Sequence, residues 1–173
     1  MTIRLLAAAL AAAPFLAFAQ GAGPTDPQIA HIVVTANQVD IDAGKFAKGL
    51  TKNKDVRAFA QQMVTDHTAV NKQAAALAGK LKVTPEANPT SESLKKGGDA
   101  NVAKLKGLKG KAFDKAYVDQ EVTYHQAVLD AIDKTLVPSA KNEELKALIV
   151  KVRPAIAAHL EHAKHLQAQL GKS

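Results

Sequence analysis

The chain reads as an all-α protein, a four-helix bundle whose second and third helices are joined by a long connection. Three observations predict this. Ala, Leu, Val and Lys dominate a chain of 173 residues that is 47% hydrophobic and only 4% aromatic, a composition that suits helices better than sheets. Apolar residues recur at three- and four-residue steps along four separate stretches, the period of an amphipathic helix. Glycine and proline collect between the second and third of these, from Val83 to Gly110.

The first helix opens at Asp26-Pro27, a capping side chain followed by a proline in the first turn. Its inward stripe is Ile29, Val33, Ala36, Asp40, Ala43, Ala47 and Leu50. Thr51-Lys52-Asn53 breaks it, with Asn53 capping a second helix that carries Val56, Phe59/Ala60, Met63, His67, Val70, Ala74, Leu77 and Leu81. So short a break predicts an antiparallel hairpin. Val83 to Gly110 reads as irregular, with one short weak helix within Ser91–Leu108 that packs across the bundle. The third helix, about Lys111 to Leu136, has the stripe Val118, Glu121/Val122, His125, Leu129 and Ile132. Pro138-Ser139 turns the chain into a fourth helix, about Ala140 to Leu170, with a kink expected at Pro154. Its stripe runs Leu145, Leu148/Ile149, Val152, Ile156, His159, Ala163, Leu166 and Leu170. Residues 26–170 thus form one domain.

Ahead of it, Met1 to Arg4 is a short positive start, Leu5 to Phe18 a mostly apolar run, and Ala17-Phe18-Ala19 a small-x-small site. This predicts a signal peptide over residues 1–19, cleaved after Ala19, then a leader over 20–25. The expected location is periplasmic or secreted. The run is short for a membrane span, which needs about 20 residues, and no later segment suits one. The absence of cysteine excludes disulfides and thiolate metal sites. The formal charge is +7. The lysines are scattered, without interleaved aromatic residues, so nucleic acid is not an expected partner. An anionic membrane surface is a weak one.

Asp40, His67, His125 and His159 each stand where the apolar rhythm calls for a core residue. Such a group is costly to bury unless paired or coordinated. Counted from a turn centred between Lys52 and Asn53, Asp40 and His67 lie within roughly 3 Å of one level. Counted from Pro138, His125 and His159 are offset by roughly 12 Å, and Glu121 comes within roughly 6 Å of His159. The expectation is a chain running from His125 through Glu121 to His159, not one compact cage. Bundle-core metal sites are assembled from such carboxylates and imidazoles on facing helices. The candidate ligands are Asp40, His67, Glu121, His125 and His159, with Asp66 and His162 secondary. Oxygen and nitrogen donors suit Fe, Mn, Zn or Cu(II). Two readings stay open: a metal site, and a structural polar layer in which these groups satisfy one another. His162, with His159, His165 and Glu161, reads foremost as a solvated helix end. No Glu-x-x-His precedes any of the histidines, which counts against a di-iron oxidase. No nucleophile elbow, phosphate loop or zinc-protease motif is present.

Val56-Arg57-Ala58-Phe59-Ala60-Gln61-Gln62-Met63-Val64-Thr65-Asp66-His67-Thr68 resembles the second-helix signature of the exported domain-of-unknown-function 4142 family. Ala112-Phe113-Asp114-Lys115-Ala116-Tyr117-Val118-Asp119 is similar to its third-helix opening, and Pro154 with His159 to its last helix. Gly44-Lys45-Phe46-Ala47, after Asp40 and Asp42, resembles the first-helix segment, where the family usually carries Glu. The resemblance implies a ferritin-like bundle, no established activity, and Asp40, Asp66, His67, His125 and His159 as the matching polar positions. Taken with the inward polar residues, the leading reading is a protein that binds a transition metal or supports envelope stress tolerance. The competing class is a structural or interaction module of the bacterial envelope.

Overall fold

The structure, a computed structural model, describes residues 23–172. The signal segment expected over 1–19 and the start of the leader, 20–22, lie outside the described residues. Among the described residues the chain is all-helical. The elements are α1 (Asp26–Leu50), α2 (Lys54–Leu81), α3 (Pro89–Lys106), α4 (Gly110–Ala131), α5 (Val137–Ser139) and α6 (Glu143–Leu170). A π-helical turn, Ile132–Leu136, joins α4 to α5. Helix α1 packs along α2 and α3, and α6 along α4 and α2. Among the described residues, no helix is long and apolar enough to cross a membrane.

Capping fixes the hairpins. The Asn53 side chain accepts from the backbone N–H groups of Asp55 and Val56 at 2.9 and 3.2 Å and opens α2. In the same turn Thr51 Oγ1 donates to Asp114 at 2.5 Å, fastening the α1–α2 corner to the start of α4. The cap of α1 is Thr25 rather than Asp26. The Asp26 carboxylate instead accepts from Lys141 N and Asn142 N at 2.9 and 3.0 Å. It thereby ties the start of α1 to the start of α6, where Asn142 is the cap.

Three expectations change. The connection is not largely irregular, because α3 is a full helix of 18 residues opened by the Asn88–Ser91 capping pair. Gly98, one of the glycines that collect in this connection, is what lets α3 approach α1. A Cβ at that position would come within 2.9 Å of both Val39 methyl groups. Leu105 from α3 is fully buried in the core. Second, the helical path beyond α4 continues to Ser139, and α6 begins at Glu143 rather than near Ala140. Third, the inward stripe of α1 ends at Ala47, since Leu50 is exposed. Helix α6 continues through Pro154, which lies on its exposed side.

The core is divided. One apolar cluster holds Phe59, Met63, Phe113, Tyr117 and Leu166. The other holds Ile29, Ile32, Leu129, Ile149 and Ile156. On each of α1, α2, α4 and α6, the metal-capable residues fall where the chain passes the level between the clusters. Asp40 lies between Ile32 and Ala43, His125 between Val118 and Leu129, and His159 between Ile156 and Ala163. His67 follows Met63 on α2.

Candidate metal centre

Asp40, His67, Glu121, His125 and His159 are all buried, none more than 3% exposed. They come from all four core helices and meet at one level. The His67, His125 and His159 ring centroids are 5.3–5.7 Å apart. The expected chain through Glu121 is therefore corrected: His125 and His159 meet directly. Counting misplaced them because the second turn does not centre on Pro138. The helical path runs to Ser139 and α6 starts at Glu143, which puts the centre near Lys141. His125 then lies 16 residues before the centre and His159 18 after it, an offset of about 3 Å.

Hydrogen bonds orient each imidazole. Asn37 donates from Nδ2 to the carbonyl of Val33 at 2.8 Å, which turns its Oδ1 toward His67. His67 Nδ1 must then be the protonated nitrogen, donating to Asn37 Oδ1 at 2.7 Å. His125 Nδ1 donates to the carbonyl of Glu121 at 3.0 Å, with Glu121 Oε2 at 3.3 Å. His159 Nε2 donates to Asp66 Oδ2 at 2.9 Å. In neutral rings each pairing leaves the other nitrogen with a bare lone pair: His67 Nε2, His125 Nε2 and His159 Nδ1. All three atoms are fully buried and have no hydrogen-bond partner, and Glu121 Oε2 and Tyr117 Oη share that condition.

Asp40 faces the same point. Its Oδ2 lies 3.1 Å from His67 Nε2 and 3.7 Å from His125 Nε2, and the shorter approach lacks hydrogen-bond geometry. Two donors on one ion at about 2.1 Å, between right-angle and tetrahedral arrangement, stand roughly 3.0–3.4 Å apart. The Asp40–His67 spacing falls in that range. Two overlapping trios, His67–His125–His159 and Asp40–Glu121–His125, each bring their donor atoms within 4.8 Å of one another. The pair shares His125.

The electrostatics express the same crowding. Burial, reinforced by the neighbouring Glu121 carboxylate, pushes the Asp40 carboxyl well above the usual carboxylate range. Burial, together with His125 and His159 alongside, pushes His67 down to about 3. His125 goes the other way: burial opposes its charged form, but Asp40 and Glu121 outweigh burial and raise it to about 9. Burial also lowers His159, against the pull of Asp66.

The secondary candidates separate. Asp66 lies outside the ring of donors and holds His159. His162 is on the surface, with Nδ1 3.2 Å from Gln62 Oε1 and its ring edge-on to Phe59 at 5.1 Å; it joins neither trio. Three nearby residues escaped sequence reasoning: Asn37, Tyr117 and Tyr124. Asn37 is three residues before Asp40, and Tyr117 four before Glu121, so helical spacing put both on the inward faces. Tyr124 lies 6.2 Å from His125, ring to ring, and donates to the carbonyl of Ala36 at 3.0 Å.

Residues 11–166 match the family model described as Domain of unknown function (DUF4142). No curated protein matches the chain. Among solved structures it is similar to a DUF305 protein from Streptomyces coelicolor, with a TM-score of 0.70 and 15% identity over 83% of this chain and 92% of that one. It is equally similar to a DUF305 fragment from Deinococcus radiodurans, with a TM-score of 0.70 and 15% identity over 85% of this chain and 95% of the other. At that identity the likeness is one of fold.

Proposed function

We propose that this chain, which belongs to the family of the domain of unknown function 4142, binds one transition-metal ion at the level between its two apolar clusters. The observation that carries the reading is the set of three buried imidazole nitrogens, each stripped of a partner by the hydrogen bond on its opposite side. Orientation of metal-binding histidines by a carbonyl, amide or carboxylate on the far nitrogen is the usual outer-shell arrangement. His67, His125 and His159 would hold the ion, with Asp40 as the fourth donor and Glu121 beside it. Three imidazoles and a carboxylate suit Fe(II), Zn(II) and Cu(II) better than Mn(II), which prefers oxygen. In this reading the scaffold is ferritin-like, the protein is exported through residues 1–19, and it binds a transition metal or supports envelope stress tolerance.

The competing reading is a purely structural polar layer. The internal pairs His67–Asn37 and His159–Asp66 favour it. The unpartnered nitrogens count against it, because a layer built for self-satisfaction would not leave three buried ring nitrogens without a partner.

Titration of purified, metal-stripped protein with Fe(II), Zn(II), Cu(II) and Mn(II) tests the choice. The expected result is one tight equivalent in wild type, none in His67→Ala/His125→Ala, and no change in His162→Ala. Equally poor binding by wild type and the double variant leaves the structural layer. Binding that disappears with His162→Ala moves the site to the helix surface.

A further inference from the structure

A cavity of about 50 Å³ opens beside the candidate centre, bounded by α1, α2, α4, the π-helical turn and α6. Its polar end is made by Asp40 and His67, with Asn37 and Tyr124 next to them. The rest of its wall is aliphatic. Val128 and Ile132 stand on one side and Ile149 and Ile156 on another, and the wider winding of Ile132–Leu136 carries two of the lining residues, Ile132 and Leu136. Val33, Ala36, Val70 and Val152, also in the wall, are only half-buried, so the outer end is apolar too.

Such a space selects by chemistry. It is about a third of the 150 Å³ that accepts benzene in an apolar protein cavity, so an organic substrate does not fit. Water needs two to four polar partners to be held; Asp40 and His67 Nε2 supply two at the polar end, and the aliphatic walls beyond them offer none. The Asn37 amide and the Tyr124 hydroxyl are already engaged with the carbonyls of Val33 and Ala36. A hydrated ion or charged oxyanion would lose its solvation there without replacement. What remains is a molecule of two or three atoms, uncharged and weakly hydrogen-bonding.

We infer that this cavity is the port by which a small uncharged molecule, of the class of dioxygen and nitric oxide, reaches the Asp40–His67 edge of the centre. The inference rests on the metal reading above and adds a ligand class and a route to it.

Xenon and nitric oxide are the probes, and Ala36→Leu on α1 and Val128→Phe on α4 are the obstructing variants. Neither residue is a proposed ligand, and circular dichroism selects whichever variant folds. Xenon should give a saturable 129Xe shift with wild type, and the shift should be lost in the variant. Nitric oxide binding to the Fe(II)-loaded protein, followed by electron paramagnetic resonance, should slow by about ten-fold or more in the variant while its iron content is unchanged. Equal xenon shifts in wild type and variant, or an unchanged nitric oxide rate, overturn the port. A chain that binds metal but not xenon overturns the port and leaves the metal reading standing. A chain that takes up xenon but no metal overturns the metal reading, and the port falls with it.

Discussion

At the scale of single residues, the groups behind the donors make the first test. Asn37 and Asp66 touch no metal in the proposed centre; they fix which nitrogen of His67 and His159 is bare. Removing such a partner typically weakens metal affinity about 10–100-fold. Asn37→Ala and Asp66→Ala should therefore keep the one-ion stoichiometry and lose affinity by that factor in a chelator competition, and unchanged affinity would remove their positioning role. Protonation makes the second test. His125 in the folded, metal-free chain is raised to about 9 from an ordinary 6.5. Between those values the folded state binds more protons than the unfolded one, so stability falls as pH rises through the window. Asp40, also raised, acts in the same direction. Urea midpoints of the metal-free protein should fall between pH 6.5 and 9, and His125→Gln should flatten that slope. A metal ion competes with the same protons, so the stabilisation it brings should grow over the same interval.

At the scale of helices, the two central glycines of α3 make opposite predictions. A Cβ at Gly97 meets nothing, whereas one at Gly98 meets Val39 of α1. Gly97→Ala should stabilise the chain by about 0.5–1 kcal/mol through helix propensity alone. Gly98→Leu should destabilise it by roughly 1–3 kcal/mol through overpacking. Denaturant unfolding decides, and equal effects at the two sites would mean that α3 does not lie against α1 at Gly98. The same pair explains what could be read from the sequence. The stripes of α1, α2, α4 and α6 were legible because apolar side chains at helical steps report burial directly, and so was the inward placing of Asp40, His67, Glu121, His125 and His159. Helix α3 was not. Its contact with α1 is made through a missing side chain, and adjacent glycines look like a break until the facing helix is known. The meeting of His125 with His159 was hidden for a related reason. It depends on where the turn after α4 centres, and the π-helical turn and α5 move that point by about three residues from Pro138 to Lys141.

At the scale of the molecule, the candidate centre stands where the two apolar clusters would otherwise join. A core interrupted there by three imidazoles and two carboxylates keeps Val122 as an apolar bridge between the clusters and carries the cost of desolvating those groups. One ion bound by donors from α1, α2, α4 and α6 would return free energy at that level and tie the four core helices together in the folded state alone. The linkage is quantitative: a ligand at 100 times its Kd, with no affinity for the unfolded chain, stabilises by about 2.7 kcal/mol. For a domain of this size, each kcal/mol is worth about 2–4 °C in Tm. Saturating metal should therefore raise Tm by roughly 5–11 °C, reversibly with a chelator. His125→Ala should abolish the rise, because His125 is the residue that both donor trios share. Because His162 lies outside both trios, His162→Ala should keep the full shift. A rise of the same size in the His125 variant would place the ion somewhere other than between the clusters.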